Sequence, residues 1–211
     1  MHHFRAPDAR RFISASLMIG IAFVIFGASF GVLSVSAGAS IAQSCAMSLL
    51  VFTGASQMSA VSVIASGGSV ASAFGGAVLL SGRNAVYGLA MSPVLKEGSL
   101  ASRLLGAQWV IDETTAVVSA ETDPATRRTA FWISGAILYA SWNIGTLLGA
   151  LVGSSINPSD FGLDAAFPVM FTAMIAPHLR TSAGRKAALF GAVAAVALAP
   201  FMPIGLPILV S

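Results

Sequence analysis

The sequence predicts an all-α, polytopic membrane protein with six or seven transmembrane helices in one domain, 1–211, and three observations predict it. Residues 12–82, 71 in all, carry no charged side chain and no histidine. That run makes roughly 105 Å of helix, enough to cross a hydrocarbon core of about 30 Å three times. Composition agrees: 56% of residues are hydrophobic, 9% are charged, and mean hydropathy is +0.85, outside the range of soluble domains. Basic residues gather in short clusters between apolar segments, the positive-inside pattern.

The elements follow in order. Breaks at Ser36-Ala37-Gly38 and Ser66-Gly67-Gly68-Ser69 divide the long run into spans near 12–35, 40–65 and 70–92, the third closed by Pro93 and Lys96-Glu97. Segment 100–120 is moderately apolar but holds Arg103, Asp112 and Glu113; it either spans or lies on the surface. A polar linker from Glu121 to Arg128 precedes a clear span over 129–153. The turn Asn157-Pro158-Ser159-Asp160 leads to a short apolar segment, 161–177, and a basic loop with His178, Arg180, Arg185 and Lys186. The last apolar stretch starts at Ala187 and meets Pro200, Pro203 and Pro207.

Placing the N-terminus, Arg127-Arg128 and Arg180/Arg185/Lys186 together on the cytoplasmic side requires an even number of crossings between them. That favours a spanning 100–120 and seven crossings, with Lys96 and Arg103 then toward the outer face. A weak repeat pairs Gly27-xxx-Gly31, Phe52-Thr53 and Phe74-Gly75 with Gly145-xxx-Gly149, Phe171-Thr172 and Phe190-Gly191. It suggests two three-helix units, 12–92 and 129–211, around a linker segment 100–128: parallel if the linker spans, inverted if it does not.

Composition also excludes. The single cysteine, Cys45, rules out a disulfide framework, and no zinc spacing, Walker loop or nucleophile elbow is present. The net charge of +3 reads as topology, with no nucleic-acid partner implied. The apolar stretch after Arg11 is about 24 residues, too long for the core of a signal peptide, so it reads as a retained first span.

Arg83 is the sharpest signal. An arginine at the middle of a span costs about 2.5–3.5 kcal/mol even on the lenient insertion scale. It either holds a substrate carboxylate through its fork or pairs with an intramembrane acid; Asn84 and Ser81 add hydrogen-bonding capacity at the same depth. Asp112 and Glu113 are the countercharge, able to bind an ammonium group, carry a coupling proton or neutralise Arg83. Ser40, Ser44 and Ser48, then Thr53 and Gln57, form a polar seam on the second span. Gln57 with Gly54 and Ser56 suggests exposed local backbone there, although serines in spans commonly bond between helices. Trp142 and Asn143 sit mid-span in 129–153, as core aromatic or pocket wall, whereas Trp132 suits an interfacial anchor. Asp164 starts the 161–177 segment and fits an N-terminal helix charge equally well.

Phe30-Gly31, Met47-Ser48, the stretch Phe52-Thr53-Gly54-Ala55-Ser56-Gln57, the triplet Asp112-Glu113-Thr114, Trp142-xx-Gly-Thr-xx-Gly149 and Gly162-Leu163-Asp164 together resemble AzlC-type proteins. These are large subunits of two-component branched-chain amino acid permeases. The resemblance covers about 20–175, and its more specific parts are 52–57 and 112–114. It implies export of branched-chain amino acids together with a small AzlD-type membrane subunit, without a cofactor. Two departures stand out: Ser81-Gly82-Arg83-Asn84 replaces the usual Asn-x-Arg-His/Tyr, and the last helix looks shortened.

The residues alone reach a transporter of a small polar or zwitterionic solute with its N-terminus inside; with the resemblance, the reading is a multi-span carrier in the bacterial cytoplasmic membrane. In this reading Arg83 and amides near Gly54 take the carboxylate, and Asp112 or Glu113 takes the ammonium or a proton. Phe52, Met58 and Trp142 take the aliphatic part. The competing class is a non-transporting membrane scaffold whose buried charges organise a partner complex; an enzyme lacks a nucleophile–base or metal-ligand arrangement.

Overall fold

The computed structural model describes residues 6–155, 172, 175, 176 and 178–201. Within them lie eight α-helices, a 3-10 turn at His178–Arg180 and no strand. Three helices are long: α1 (Ala6–Ser36), α4 (Val70–Leu95) and α7 (Pro124–Gly153). The stretches Ala9–Ser36 and Pro124–Gly153 are both long and apolar enough to cross a membrane. At 26 residues, α4 reaches about 39 Å, also sufficient by length. The last helix, α8 (Ser182–Leu198), buries none of its residues.

Local chemistry sets these boundaries. Gly38 (φ +94°) ends α1 and Gly67 (φ +80°) ends α3 (Gly54–Ala65), both in the left-handed region where a side chain is strained. Ser69 caps α4 by accepting from the Ser72 amide, and Asp123 caps α7 by accepting from the Thr126 amide at 2.8 Å. With Pro124 at its first position, α7 starts before the expected 129. Pro93 does not close α4 as expected. Its missing N–H would orphan the Leu89 carbonyl, but the Ser92 hydroxyl donates to that oxygen at 2.9 Å, and the helix continues to Leu95.

A glycine seam joins α1 to α7. A Cβ on Gly27 would strike the Trp142 carbonyl, one on Gly31 the Thr146 carbonyl, one on Gly145 the Val24 carbonyl and one on Gly149 the Ala28 carbonyl. Contacts 24–145, 28–149 and 32–153 climb together, so the helices run parallel, backbone against backbone. The two glycine pairs of the suggested repeat thus pack reciprocally. Phe171 of that repeat's second half lies outside the described residues, as do the 157–160 turn and most of the 161–177 segment, Asp164 included.

The segment expected to span at 40–65, and the segment 100–120 expected either to span or to lie on the surface, each double back instead of running straight through the bundle. Each is a helical hairpin that enters and leaves at one end of the bundle. In the first, α2 (Ile41–Leu50) leaves the C-terminal end of α1, where Ser44 Oγ donates to Ser34 Oγ at 2.8 Å. It descends past Thr146, which accepts from Ser48 Oγ at 3.1 Å. The chain breaks at Val51-Phe52-Thr53 and α3 turns back: Gln57 Nε2 donates to the Met47 carbonyl at 3.1 Å. A continuous helix would carry Gln57 about 15 Å beyond Met47. Met47 instead packs beside Ala60 and Val63.

The second hairpin enters from the opposite end. Its first arm, α5 (Leu100–Gln108), rises from the level of Glu97, which meets Arg128 at 3.8 Å. Trp109 lies on Gly135, the chain breaks at 109–111, and α6 (Asp112–Ser119) descends until Val118 packs with Phe12, Met91 and Phe131. Glu121 then pairs with Arg11 at 2.9 Å. So α1 and α4 are each followed by a hairpin rooted at the end where the long helix finishes, in opposite senses.

This revises the crossing count. Arg10, Arg11, Arg127 and Arg128 do share one end of the bundle, but only α1 and α4 run between them. Lys96 and Arg103 fall at that same end, and the anomaly of the seven-crossing reading disappears. Sequence alone could not see this, because a hairpin and a span of equal length have the same apolar content.

Candidate functional site

The two hairpin tips meet midway along the long helices. Gln108 Nε2 donates to the Leu49 carbonyl at 3.1 Å, and Tyr139 Oη donates to the same oxygen at 2.9 Å. Phe52 and Ile111, one from each tip, share a core cluster with Trp142, Leu138 and Phe30. Irregular backbone at this depth is tolerated because it is buried in protein or lines a cavity.

Beside the joined tips lies a cavity of about 150 Å³. Hairpin 1 contributes Phe52, Thr53, Gly54 and Ala55; hairpin 2 contributes Ile111, Asp112 and Glu113. Arg83 and Asn84 come from α4, Phe23 and Phe26 from α1, and Trp142 from α7. Arg83 Nη1 and Asp112 Oδ2 are 2.7 Å apart, with 39% and 38% of their side chains exposed. That exposure leaves both groups within reach of a solute. The other oxygen, Asp112 Oδ1, is buried and has no hydrogen-bond partner among the described residues; neither has Trp142 Nε1.

The two helices that start at the cavity are finished differently. At α6, Ile111 N–H donates to Thr114 Oγ1 at 3.1 Å, that hydroxyl donates to the Trp109 carbonyl at 2.7 Å, and Asp112 and Glu113 occupy the first turn. This turn carries its own anions. At α3 no side chain among the described residues caps the amides and no acid sits in the first turn; the Thr53 hydroxyl donates to Ser56 Oγ at 2.8 Å instead. The first amides of a helix have no intrahelical partner, so Gly54 and Ala55 present an uncapped positive helix end to the cavity, on the same wall system as Arg83.

Aromatic rings close the remaining wall. Trp142 lies edge-on to Phe23 (5.9 Å between centroids) and stacks on Phe30 (6.1 Å), and Phe52 sits edge-on to Tyr139 at 5.2 Å. Gly54 is required here, because a Cβ on it would come within 2.8 Å of the Trp142 ring.

Of the residues singled out from sequence, Gly54, Arg83, Asn84, Asp112, Glu113 and Trp142 converge on this cavity. Ser56, Gln57 and Asn143 do not line it. Ser56 Oγ is 2.8 Å from Ser81 Oγ, Gln57 is wholly buried against the Met47 carbonyl, and Asn143 donates to Tyr139 of its own helix at 2.8 Å. These three hold hairpin 1 and α7 in place. Met58 also stands behind the wall, in the core with Phe52 and Trp142. Thr53 of the polar seam also lines the cavity, whereas sequence reading missed Phe23, Phe26, Ala55 and Ile111. Phe23, Phe26 and Phe30 recur at i, i+3 and i+7, a stripe that marked one face of α1 without showing that part of it faces a void.

The AzlC protein family model matches residues 18–156. The chain is 29% identical over 206 residues to inner membrane protein YgaZ of Escherichia coli (strain K12), covering 92% of this chain and 84% of that protein. It is 26% identical over 189 residues to an uncharacterized membrane protein of Helicobacter pylori (strain J99), covering 88% and 82%. No solved structure matches it.

Proposed function

The chain belongs to the AzlC family of membrane proteins, and from that premise and the site's geometry we propose that it is the carrier subunit for a small zwitterionic solute. A branched-chain or related amino acid, exported together with a small AzlD-type membrane subunit, fits the resemblance. One observation carries the reading: one cavity brings together a guanidinium, an uncapped helix N-terminus, a part-exposed carboxylate and an aromatic wall. The solute's carboxylate goes to Arg83 and the amides of Gly54 and Ala55, with Asn84 alongside. Its ammonium goes to the exposed face of the Asp112 carboxylate, with Glu113 adjacent and the Trp142 face for cation–π support. Its aliphatic part lies against Phe52, Phe23 and Trp142. The gathering of Arg10, Arg11, Lys96, Arg103, Arg127 and Arg128 at one end supports a cytoplasmic N-terminus.

The test is counterflow of labelled valine or leucine into proteoliposomes, with and without the co-expressed small subunit. Charge-assisted hydrogen bonds contribute about 1.5–3 kcal/mol, so Arg83→Ala should lower exchange about 10- to 100-fold while the protein still inserts. Unchanged exchange removes the site assignment. The double change Arg83→Met with Asp112→Leu separates a carrier from a scaffold. A carrier assembles with its partner but moves nothing; a scaffold has no exchange to lose, so unmodified protein that assembles without exchanging amino acids supports that class.

A further inference from the structure

The hairpins enter from opposite ends, meet at their tips and share the cavity between them. We propose that they are the two gates of one solute path, each closing the cavity toward the end of the bundle at which it is rooted. This inference rests on the carrier reading and adds which parts move.

The frame is built not to move. Along the α1–α7 seam four glycines put backbone on backbone, and any added Cβ collides with a carbonyl; such close-packed contacts have no slack for sliding. Hairpin 1 is built differently. Its two roots are the turns at Gly38 and Gly67, both at positive φ, where a Cβ would meet nothing within 4 Å. Its arms bear on their neighbours through small side chains and hydroxyl contacts, Ser44 to Ser34 of α1, Ser48 to Thr146 of α7 and Ser56 to Ser81 of α4, with Met58 and Val61 in the core beneath. Its tip is held by the Phe52 ring, packed on Phe23 and Tyr139, and by the Leu49 carbonyl, which accepts from Tyr139 of the frame and from Gln108 of hairpin 2.

That carbonyl is a latch between the gates. Both tips supply cavity wall, Phe52 to Ala55 on one side and Ile111 to Glu113 on the other. A solute held there touches both hairpins. Hairpin 1 fills the half of the bundle toward the C-terminal end of α1, and hairpin 2 fills the other half. Exit toward either end therefore requires the hairpin on that side to swing, a hinge motion about its root turns.

Disulfide locking tests this in full-length protein carrying Cys45→Ala. The pair Ser48→Cys/Thr146→Cys replaces hydroxyls 3.1 Å apart and ties α2 to α7. Ser34→Cys/Ser44→Cys, at 2.8 Å, ties α2 to α1. The control Gly20→Cys/Ser141→Cys ties frame to frame: a Cβ on Gly20 would lie 3.6 Å from the Ser141 Cβ, within the disulfide range. Oxidation should lower counterflow at least tenfold in both hairpin pairs, reductant should restore it, and the control should be unaffected. A cross-linked hairpin that still exchanges at the reduced rate overturns the proposal, and so does a control pair that stops equally.

A second readout needs no transported solute. An added Asn84→Cys, facing the cavity from α4, is labelled in sealed vesicles with an impermeant thiol reagent. Locking hairpin 1 should suppress labelling from the α1 C-terminal side at least tenfold and leave labelling from the other side. Labelling that ignores the lock refutes the gates. If side-dependent labelling holds while unmodified protein exchanges no amino acid, the gates stand and the amino-acid reading falls.

Discussion

Gly149→Ala should loosen the whole bundle, and the structure sets the size of the effect. A methyl carbon on Gly149 would fall onto the Ala28 carbonyl of α1. The obstacle is backbone, so neither a rotamer change nor a local shift relieves it, and the two helices must part by roughly 1 Å. A gap of that size forfeits about a quarter to a half of the dispersion energy of each contact it opens. It opens contacts on both sides, because Gly145 and Gly153 meet Val24 and Val32 one turn away in each direction. Overpacking of this kind costs about 1–3 kcal/mol. For a chain of this length 1 kcal/mol moves the midpoint by about 2–4 °C, so the expected fall is about 2–12 °C. The assay is heating of detergent-solubilised protein followed by size-exclusion chromatography of what stays soluble. Gly82→Ala is the control: it is also a helical glycine, in α4, but its Cβ would meet nothing within 4 Å. Alanine favours the helix by about 0.8–1.0 kcal/mol over glycine, so that variant should match or exceed the parent. Equal midpoints for Gly149→Ala and parent, or equal losses in both variants, refute the claim that the α1–α7 seam is the rigid frame.

Two further changes probe the neighbourhood of the site. Ser92→Ala removes the donor that Pro93 obliges the Leu89 carbonyl to find; the lost bond costs about 0.5–1.5 kcal/mol, read in the same heating assay as a fall of about 1–6 °C. Gly54→Ala pushes on the Trp142 ring from 2.8 Å and narrows the cavity at the α3 amides. Counterflow should drop at least tenfold while the protein still elutes as a single species, and full exchange in that variant would show that the ring and these amides do not bound the solute.

What was legible in the sequence divides along a physical line. Helix, apolarity and the position of Arg83 are local properties, and they were readable. So was the grouping of Arg83 with Asp112, because one central cation and one pair of acids in an apolar chain have few ways to avoid each other. Direction of travel was not readable. The stretch 40–65 has the length and apolarity of a span, and only the return contact from Gln57 to Met47 shows that it reverses. The same property misled the reading of Gln57 and Ser56. Their polarity signalled broken backbone near Gly54, correctly, but their side chains turn away from the void to hold the break in shape. Lys96 and Arg103 were a clue of the opposite kind: their apparent misplacement under seven crossings vanishes once the second and fourth segments reverse.

The two breaks also explain why the site is where it is. Interrupting a helix leaves an acceptor end and a donor end, and in a membrane both must be satisfied. At hairpin 1 the acceptor end is satisfied twice, since Leu49 receives Tyr139 and Gln108. The donor end at Gly54 receives nothing from a side chain. At hairpin 2 the donor end has Thr114 and two carboxylates of its own. Among the described residues, the uncapped amides of α3 are therefore the helix start at this cavity that still lacks an anion, and Arg83 is the cation beside them. Asp112 shares Oδ2 with Arg83 and keeps part of its side chain exposed. A zwitterion answers both needs at once: its carboxylate completes α3 while its ammonium completes Asp112. A simple anion would bring no cation to the exposed Asp112 carboxylate, and a simple cation would leave the α3 amides without an acceptor. The solute that fits best carries both charges a few ångströms apart, and competition against labelled valine by uncharged or singly charged analogues is expected to fail where the zwitterion succeeds.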